Sequence, residues 1–339
     1  MDKKKYAILF YIAVNIIIIA VIGLLDPNLK DIGRAFNTLK LHWLAGAAAC
    51  MLMFWVMDAL ILGYSLAAIF EPRRFKDCME VALIGQYYNA VTPFASGGQP
   101  AQVYYMSRFG IPAGYSTSAL IIKYLVYQVV LSIFCAIAFI FKAGLIFSYP
   151  LVVVWISLIG FVINAGAVFF IYSLSLNRGF IRKIVLSVLN FFHRVRIVRD
   201  LEKWKARMEA AVEDFHRSLC MFRGNYKGMA LMAVMTAMQL IFYFSVTFFV
   251  YRAFGLKDSA WMDMIFVQSF LYLAVSYFPA PGAMGASEGG FYLFFQRFFP
   301  GHLIFVAMLL WRFMTYYLNI IVGGLVILTR SIKDLSRIR

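Results

Sequence analysis

The sequence is short of most of what a water-soluble enzyme relies on. Only 14% of its 339 residues are charged, and acids are the scarcest, with 16 Asp and Glu against 32 Lys and Arg. The four cysteines, Cys50, Cys78, Cys135 and Cys220, stand singly, in neither metal-ligand spacing nor an extracellular disulfide pattern. The four histidines, His42, His193, His216 and His302, do not cluster either. No metal site, catalytic residue or cofactor is therefore expected. There is no P-loop and no nucleophile–base pair, which speaks against ATP-driven chemistry within this chain.

What remains is apolar: 63% of residues are hydrophobic and 18% aromatic, and the mean hydropathy is +0.79. These values lie outside the range of soluble globular domains and predict an all-α, polytopic membrane helix bundle. A spanning helix needs about 20 mainly apolar residues. Six segments meet that length, at 6–25, 43–70, 114–141, 145–174, 228–251 and 302–329. The first reads as a retained anchor, because no small-residue cleavage site follows it. Two further apolar regions, 79–108 and 264–299, are interrupted by Gly and Pro.

The net charge of +16 is concentrated between and beyond the spans, so it points to membrane orientation and anionic lipid and away from nucleic acid. MDKKK at the N-terminus, RRFK (73–76), the stretch 176–227 with twelve Lys and Arg against five acids, and the C-terminus with Arg330, Lys333, Arg337 and Arg339 are all expected in the cytoplasm. A bacterial inner membrane with both termini cytoplasmic is the resulting expectation. Counting crossings then makes 79–108 enter and leave from the cytoplasm and 264–299 from outside. Each reads as a re-entrant hairpin, since about 30 residues with a central break leave short spans if divided in two. The chain thus divides into a first half (1–175), a basic amphipathic linker (176–227) and a second half (228–339). The linker's FIRKIVLSVLNFFHRVRIV suits a helix on an anionic membrane surface, or a plain solvated connection.

The two broken regions also resemble one another. PFASGGQPAQVY (93–104) set against PGAMGASEGGFY (281–292) brings Pro93, Gly97 and Tyr104 onto Pro281, Gly285 and Tyr292. Downstream, IIKYLVY (121–127) matches LWRFMTY (310–316) with one extra residue, so each hairpin precedes a span with a lone cation, Lys123 or Arg312. Paired interrupted segments in two inverted halves are the sequence mark of a transporter site near the bilayer midplane.

Non-helical backbone survives in hydrocarbon only where protein or a watery cavity satisfies it. Pro93, Pro100, Pro279 and Pro281 stop helices there, and Gly97, Gly98, Gly282, Gly285, Gly289 and Gly290 allow positive φ or close approach. A half-helix starting after such a break directs free N–H groups at the cavity, where a phosphate could sit. Lys123 and Arg312 lie about ten residues into their spans, near mid-depth, where a cation must face a partner or a cavity. They could hold a lipid phosphate, or form internal ion pairs. Glu288 is the obvious partner for such a pair, and Asp58 is the only other carboxylate well inside a long span. Glu288 could equally release its partner when a lipid arrives, or take up a proton. Asn89, Thr92, Ser96, Gln99, Gln102, Ser276 and Ser287 add neutral hydrogen-bonding groups, each of which could also serve a local turn or helix contact.

YNAVTPFASGGQPAQVYYM, SYFPAPGAMGASEGGF and LLWRFMTYYLNIIVGG together resemble the lysylphosphatidylglycerol synthase transmembrane, or flippase-like, family. That family includes the N-terminal membrane domain of the bacterial multiple peptide resistance factor, and the resemblance covers nearly the whole chain. It implies a lipid flippase moving an anionic, aminoacylated or polyprenyl-phosphate-linked lipid. The sequence ends after its last span, so the acyltransferase domain of the bifunctional members is not expected within it. The alternatives are the membrane component of a phosphatidylglycerol lysyltransferase, with a separate soluble lipid-modifying enzyme as partner, and a non-transporting lipid-binding scaffold.

Overall fold

The computed structural model describes residues 39–176, 187 and 225–336. The expected anchor at 6–25 and nearly all of the 176–227 linker lie outside the described residues. Among the described residues every regular element is helical. The helices are α1 (Leu41–Ile69), α2 (Phe75–Val91), α3 (Gly98–Arg108), α4 (Ala113–Phe141), the short α5 (Ala143–Phe147) and α6 (Leu151–Leu176). They continue with α7 (Tyr226–Ala253), α8 (Trp261–Val275), α9 (Ala286–Phe295), α10 (Gly301–Arg312) and α11 (Leu318–Ser336). A π turn, Phe313–Tyr317, joins α10 to α11. Among the described residues, four helices are long and apolar enough to cross a membrane: Leu41–Ile69, Ala113–Phe141, Tyr226–Ala253 and Gly301–Ile332.

Prolines set the boundaries. Pro93 pushes Thr92 into an extended conformation (φ −117°, ψ 145°) and so ends α2. Pro112 and Pro300, at ψ 144° and 147°, stand immediately before α4 and α10. Asn225 caps α7 with its side-chain oxygen, which accepts from the Gly228 N–H at 2.9 Å.

The centre of the bundle is a seam between α1 and α7. Lys40 N donates to the Ala253 carbonyl at 2.8 Å, Phe54 meets Tyr243 with ring centroids 5.1 Å apart, and Tyr64 lies against Gly228. Contacts that descend one helix as they ascend the other make the pair antiparallel. Because α2 follows α1 and α8 follows α7, the two helix–break–helix segments start at opposite ends of the bundle. Their tips, Pro93–Ala95 and Pro281–Ala283, meet one another. The return helices α3 and α9 have 11 and 10 residues, about 15 Å each at 1.5 Å per residue, half of a hydrocarbon core. They are hairpins and not pairs of spans.

The backbone repeats at the spacing read from the sequence. Phe94 (φ 55°, ψ 19°) and Gly282 (φ 58°, ψ 21°) stand 188 residues apart, as do Ala95 (φ 51°) and Ala283 (φ 50°), the starts of α3 and α9, and Pro112 and Pro300. The cations do not follow this spacing. Lys123 is eleven residues past its proline and Arg312 twelve, so Arg312 occupies the helical position of Tyr124. The extra residue of the second half is taken up by the π turn that begins directly after Arg312.

The glycines differ in what they do. Gly282 needs both its positive φ and its missing side chain, since a Cβ there would stand 2.1 Å from the Tyr316 ring. Gly285 also has positive φ (81°), whereas Gly97 and Gly98 have room only for hydrogen, against Thr92 and Asn89. Gly289 is the exception among those expected to shape the break: it lies inside α9 with nothing within 4 Å of a Cβ. Gly282→Ala is therefore expected to lower stability by about 2–4 kcal/mol, from strain and overlap together. Gly289→Ala is expected to be neutral or stabilising by up to about 1 kcal/mol. Thermal unfolding of the two variants in detergent checks this, and an equal drop for both would contradict the tip geometry.

Candidate functional site

Where the two tips meet, the bundle holds an open cavity of about 780 Å³. Its walls come from both halves: α1, α2, the first tip, α3 and α4 from the first, and α7, α8, the second tip, α9 and the α10–π–α11 helix from the second. Lys123 and Arg312 both line it.

Arg312 is held in a closed network. Its Nε donates to Glu288 Oε1 at 2.5 Å and its Nη2 to the Gly282 carbonyl at 2.9 Å. Glu288 Oε2 in turn accepts from the Gly285 N–H at 2.7 Å. Glu288 thus neutralises the cation and also occupies an N–H at the start of α9, the place where a ligand phosphate was expected. The Glu288 side chain is wholly buried and that of Arg312 is 5% exposed. The guanidinium lies 4.6 Å from the Tyr316 ring centroid, a cation–π contact inside the same knot.

Lys123 has a partner that sequence reasoning left unassigned. Its Nζ lies 2.8 Å from Asp58 Oδ1, which also accepts from Gln239 Nε2 at 2.8 Å. This links α4, α1 and α7. Asp58 Oδ2 and Gln239 Oε1 are buried without a protein hydrogen bond, and so is the indole N–H of Trp311, next to Arg312. All three residues line the cavity. The three atoms themselves are closed off from solvent, so the residues face the cavity with their other atoms.

The neutral residues expected at the site divide in two. Asn89, Ser96, Gln99, Gln102, Ser276 and Ser287 line the cavity. Gln102 also donates to the Val81 carbonyl at 3.3 Å, tying α3 to α2, and Ser287 donates to Gly282 O at 3.4 Å. Thr92 does not reach the cavity wall: its hydroxyl accepts from Gly97 N–H at 2.8 Å and donates to Tyr88 O at 2.6 Å, fastening the first tip. The first tip's N–H groups are thus partly satisfied from within, as at the second. Pro93 and Pro281 start the two tips. Asp58, Gln239, Trp311 and the hydrogen-bonded pair Tyr127–Tyr272 (2.9 Å) were missed as site residues. The signal for Asp58 was present, as a lone acid inside a span facing a lone cation. Gln239 and the tyrosines gave none, because an apolar run with one amide does not say which neighbour it faces.

The cavity wall thus carries the cations of both ion pairs, Lys123 and Arg312, among neutral polar groups.

Comparison with known proteins agrees with this architecture. Residues 8–323 match the family described as lysylphosphatidylglycerol synthase TM region. A UPF0104 membrane protein of Archaeoglobus fulgidus is 22% identical over 311 residues, which cover 87% of this chain and 89% of that one.

Removing one member of a buried ion pair strands the other, at a cost of about 3–5 kcal/mol, whereas replacing both is far milder. Asp58→Asn and Lys123→Met are each expected to lower the unfolding temperature in detergent. The double variant is expected to recover most of the loss, and strict additivity of the two losses would show that the pair does not form.

Proposed function

The chain belongs to the lysylphosphatidylglycerol synthase TM-region family, and from that premise we propose that it moves the headgroup of a phosphate-bearing lipid across the cell membrane through the cavity between its hairpins. The observation that carries this reading is the wall itself. A cavity formed between the two halves and lined by Lys123 and Arg312 together with neutral hydrogen-bonding side chains suits a headgroup that carries phosphate oxygens. Anionic or aminoacylated phospholipids and polyprenyl-phosphate-linked lipids both fit that description.

The inverted pair of hairpins supports movement over static binding, since such repeats let one half rock against the other around a fixed midplane site. The ion pairs suit the empty state. Arg312 rests on Glu288 and Lys123 on Asp58, so neither charge is bare in hydrocarbon, and an arriving phosphate would compete for both cations. The distribution of basic loops favours cytoplasmic termini and a place in the inner membrane. A second reading, the membrane component of a phosphatidylglycerol lysyltransferase acting with a soluble catalytic partner, draws on the description of the family.

The deciding measurement is transport of headgroup-labelled lipids in proteoliposomes. Wild-type protein is expected to move at least one anionic or lipid-phosphate class faster than empty vesicles. Arg312→Ala, Lys123→Ala and Glu288→Gln are each expected to slow it by tenfold or more, on the order of 1.4 kcal/mol per decade. Wild-type vesicles indistinguishable from empty ones for every class would remove the transport reading.

A further inference from the structure

The two hairpins differ in charge where they share a backbone. The second carries Glu288, closed onto Arg312, whereas the first turns carboxamides toward the cavity. Gln86 and Asn89 stand one turn apart near the end of α2, Gln99 and Gln102 one turn apart at the start of α3, and all of them line the cavity. At the 188-residue spacing the second hairpin has Ala274, Tyr277, Ser287 and Gly290, none of them an amide. Glycines of the first hairpin make room for the set: a Cβ at Gly98 would strike the Asn89 amide, and one at Gly85 the Gln102 amide.

Most of this hydrogen-bonding capacity is unspent. Gln102 gives one N–H to the Val81 carbonyl, but Gln86, Asn89 and Gln99 make no hydrogen bond to the described residues, and none of the three is buried. A carboxamide both donates and accepts, as a hydroxyl does, and it carries no charge. A bare phosphate calls for donors only, and an ammonium for acceptors, above all a carboxylate. Among the described residues of the wall Asp58 is the only carboxylate, and it is taken by Lys123 and Gln239. A cationic headgroup would meet two cations here and no free anion. The rings of Phe94 and Tyr124 line the same cavity and offer apolar faces to the C–H side of a sugar or cyclitol.

We propose that the headgroup taken by this cavity is neutral and rich in hydroxyls, a sugar or polyol carried on the lipid phosphate. Its hydroxyls lie on the carboxamides of the first hairpin, and its phosphate lies toward Lys123 and Arg312. An aminoacylated headgroup is selected against by the same wall. This rests on the lipid reading above and narrows it to one class of headgroup.

The test is equilibrium binding of short-chain lipids to the full chain in detergent micelles, read by native mass spectrometry. Phosphatidylinositol carries a polyhydroxyl ring beyond its phosphate, phosphatidic acid carries nothing there, and lysylphosphatidylglycerol carries ammonium groups. A mannosylphosphoryl short-chain polyprenol, set beside the inositol lipid, tells a sugar from a polyol. The tighter of the two hydroxylated probes is expected to bind about tenfold better than phosphatidic acid or the lysyl lipid, the worth of one or two net hydrogen bonds. The double variant Gln86→Met/Gln99→Met keeps side-chain length and removes the hydrogen bonds, so the ratio to phosphatidic acid is expected to fall to about twofold or less. Gln99 is exposed, so Gln99→Met alone is expected to fold normally and to lower that ratio about threefold. Equal affinity for phosphatidic acid and both hydroxylated probes, tighter binding of the lysyl lipid, or a ratio unchanged in the variants would overturn the proposal and leave the lipid reading standing. Wild-type protein that bound none of the probes would overturn both.

Discussion

The pairing of Arg312 with Glu288 is the interaction on which the second half of the molecule depends. A broken backbone inside hydrocarbon is tolerable only if its polar groups find partners in the protein, and each one left bare costs several kcal/mol. The pair supplies those partners in both directions. The guanidinium takes the Gly282 carbonyl, and the carboxylate takes the Gly285 N–H. In return, backbone dipoles help solvate two charges that would otherwise be isolated in a low-dielectric interior. Neither the break nor the charges would be stable alone at this depth. The knot also positions the tip, because Gly282 is pressed on the Tyr316 ring on which the guanidinium also lies.

The first half solves the same problem with different residues. Its tip is fastened by a neutral hydroxyl, that of Thr92, and its cation is paired across helices with Asp58 and not with its own hairpin. By the 188-residue spacing, the position of Glu288 is held by Pro100 in the first half and that of Asp58 by Val246 in the second. The halves share a backbone and not a charge plan. The cavity wall is consequently lopsided, with Lys123 tied to Asp58 and Gln239 across three helices on one side and Arg312 tied to its own hairpin's Glu288 on the other.

How much of this was legible in the sequence follows from where the signal is strong. Proline and glycine inside apolar runs are rare and local, so both hairpins, their tips and the Pro93–Pro281 correspondence could be read directly. Single charges in such runs are equally conspicuous, which is why Lys123, Arg312 and Glu288 could be singled out. The Lys123–Asp58 contact was not, because its members are 65 positions apart and the helices carrying them are apolar on nearly every face, leaving no stripe to say which sides meet. For Thr92 both roles stayed open in the sequence, because at a turn the same hydroxyl can face a guest or the local backbone, and here it holds the local backbone. The π turn leaves no compositional trace; it takes up, just beyond Arg312, the one residue by which the match of the two cations departs from the 188-residue spacing.

That single added residue has a consequence for the cycle of any carrier built this way. In an inverted-repeat transporter the inward- and outward-open forms arise when the two halves exchange conformations. Two identical halves would make those forms equal in energy, so the empty protein would rest on either side indifferently. One residue of α-helix is about 100° of rotation, so the second cation leaves its helix on another face, and the bulge absorbs the difference just beyond it. The two exchanged forms cannot then be mirror equivalents. In a carrier of this kind the resting orientation would be a property written into the chain, independent of any gradient across the membrane.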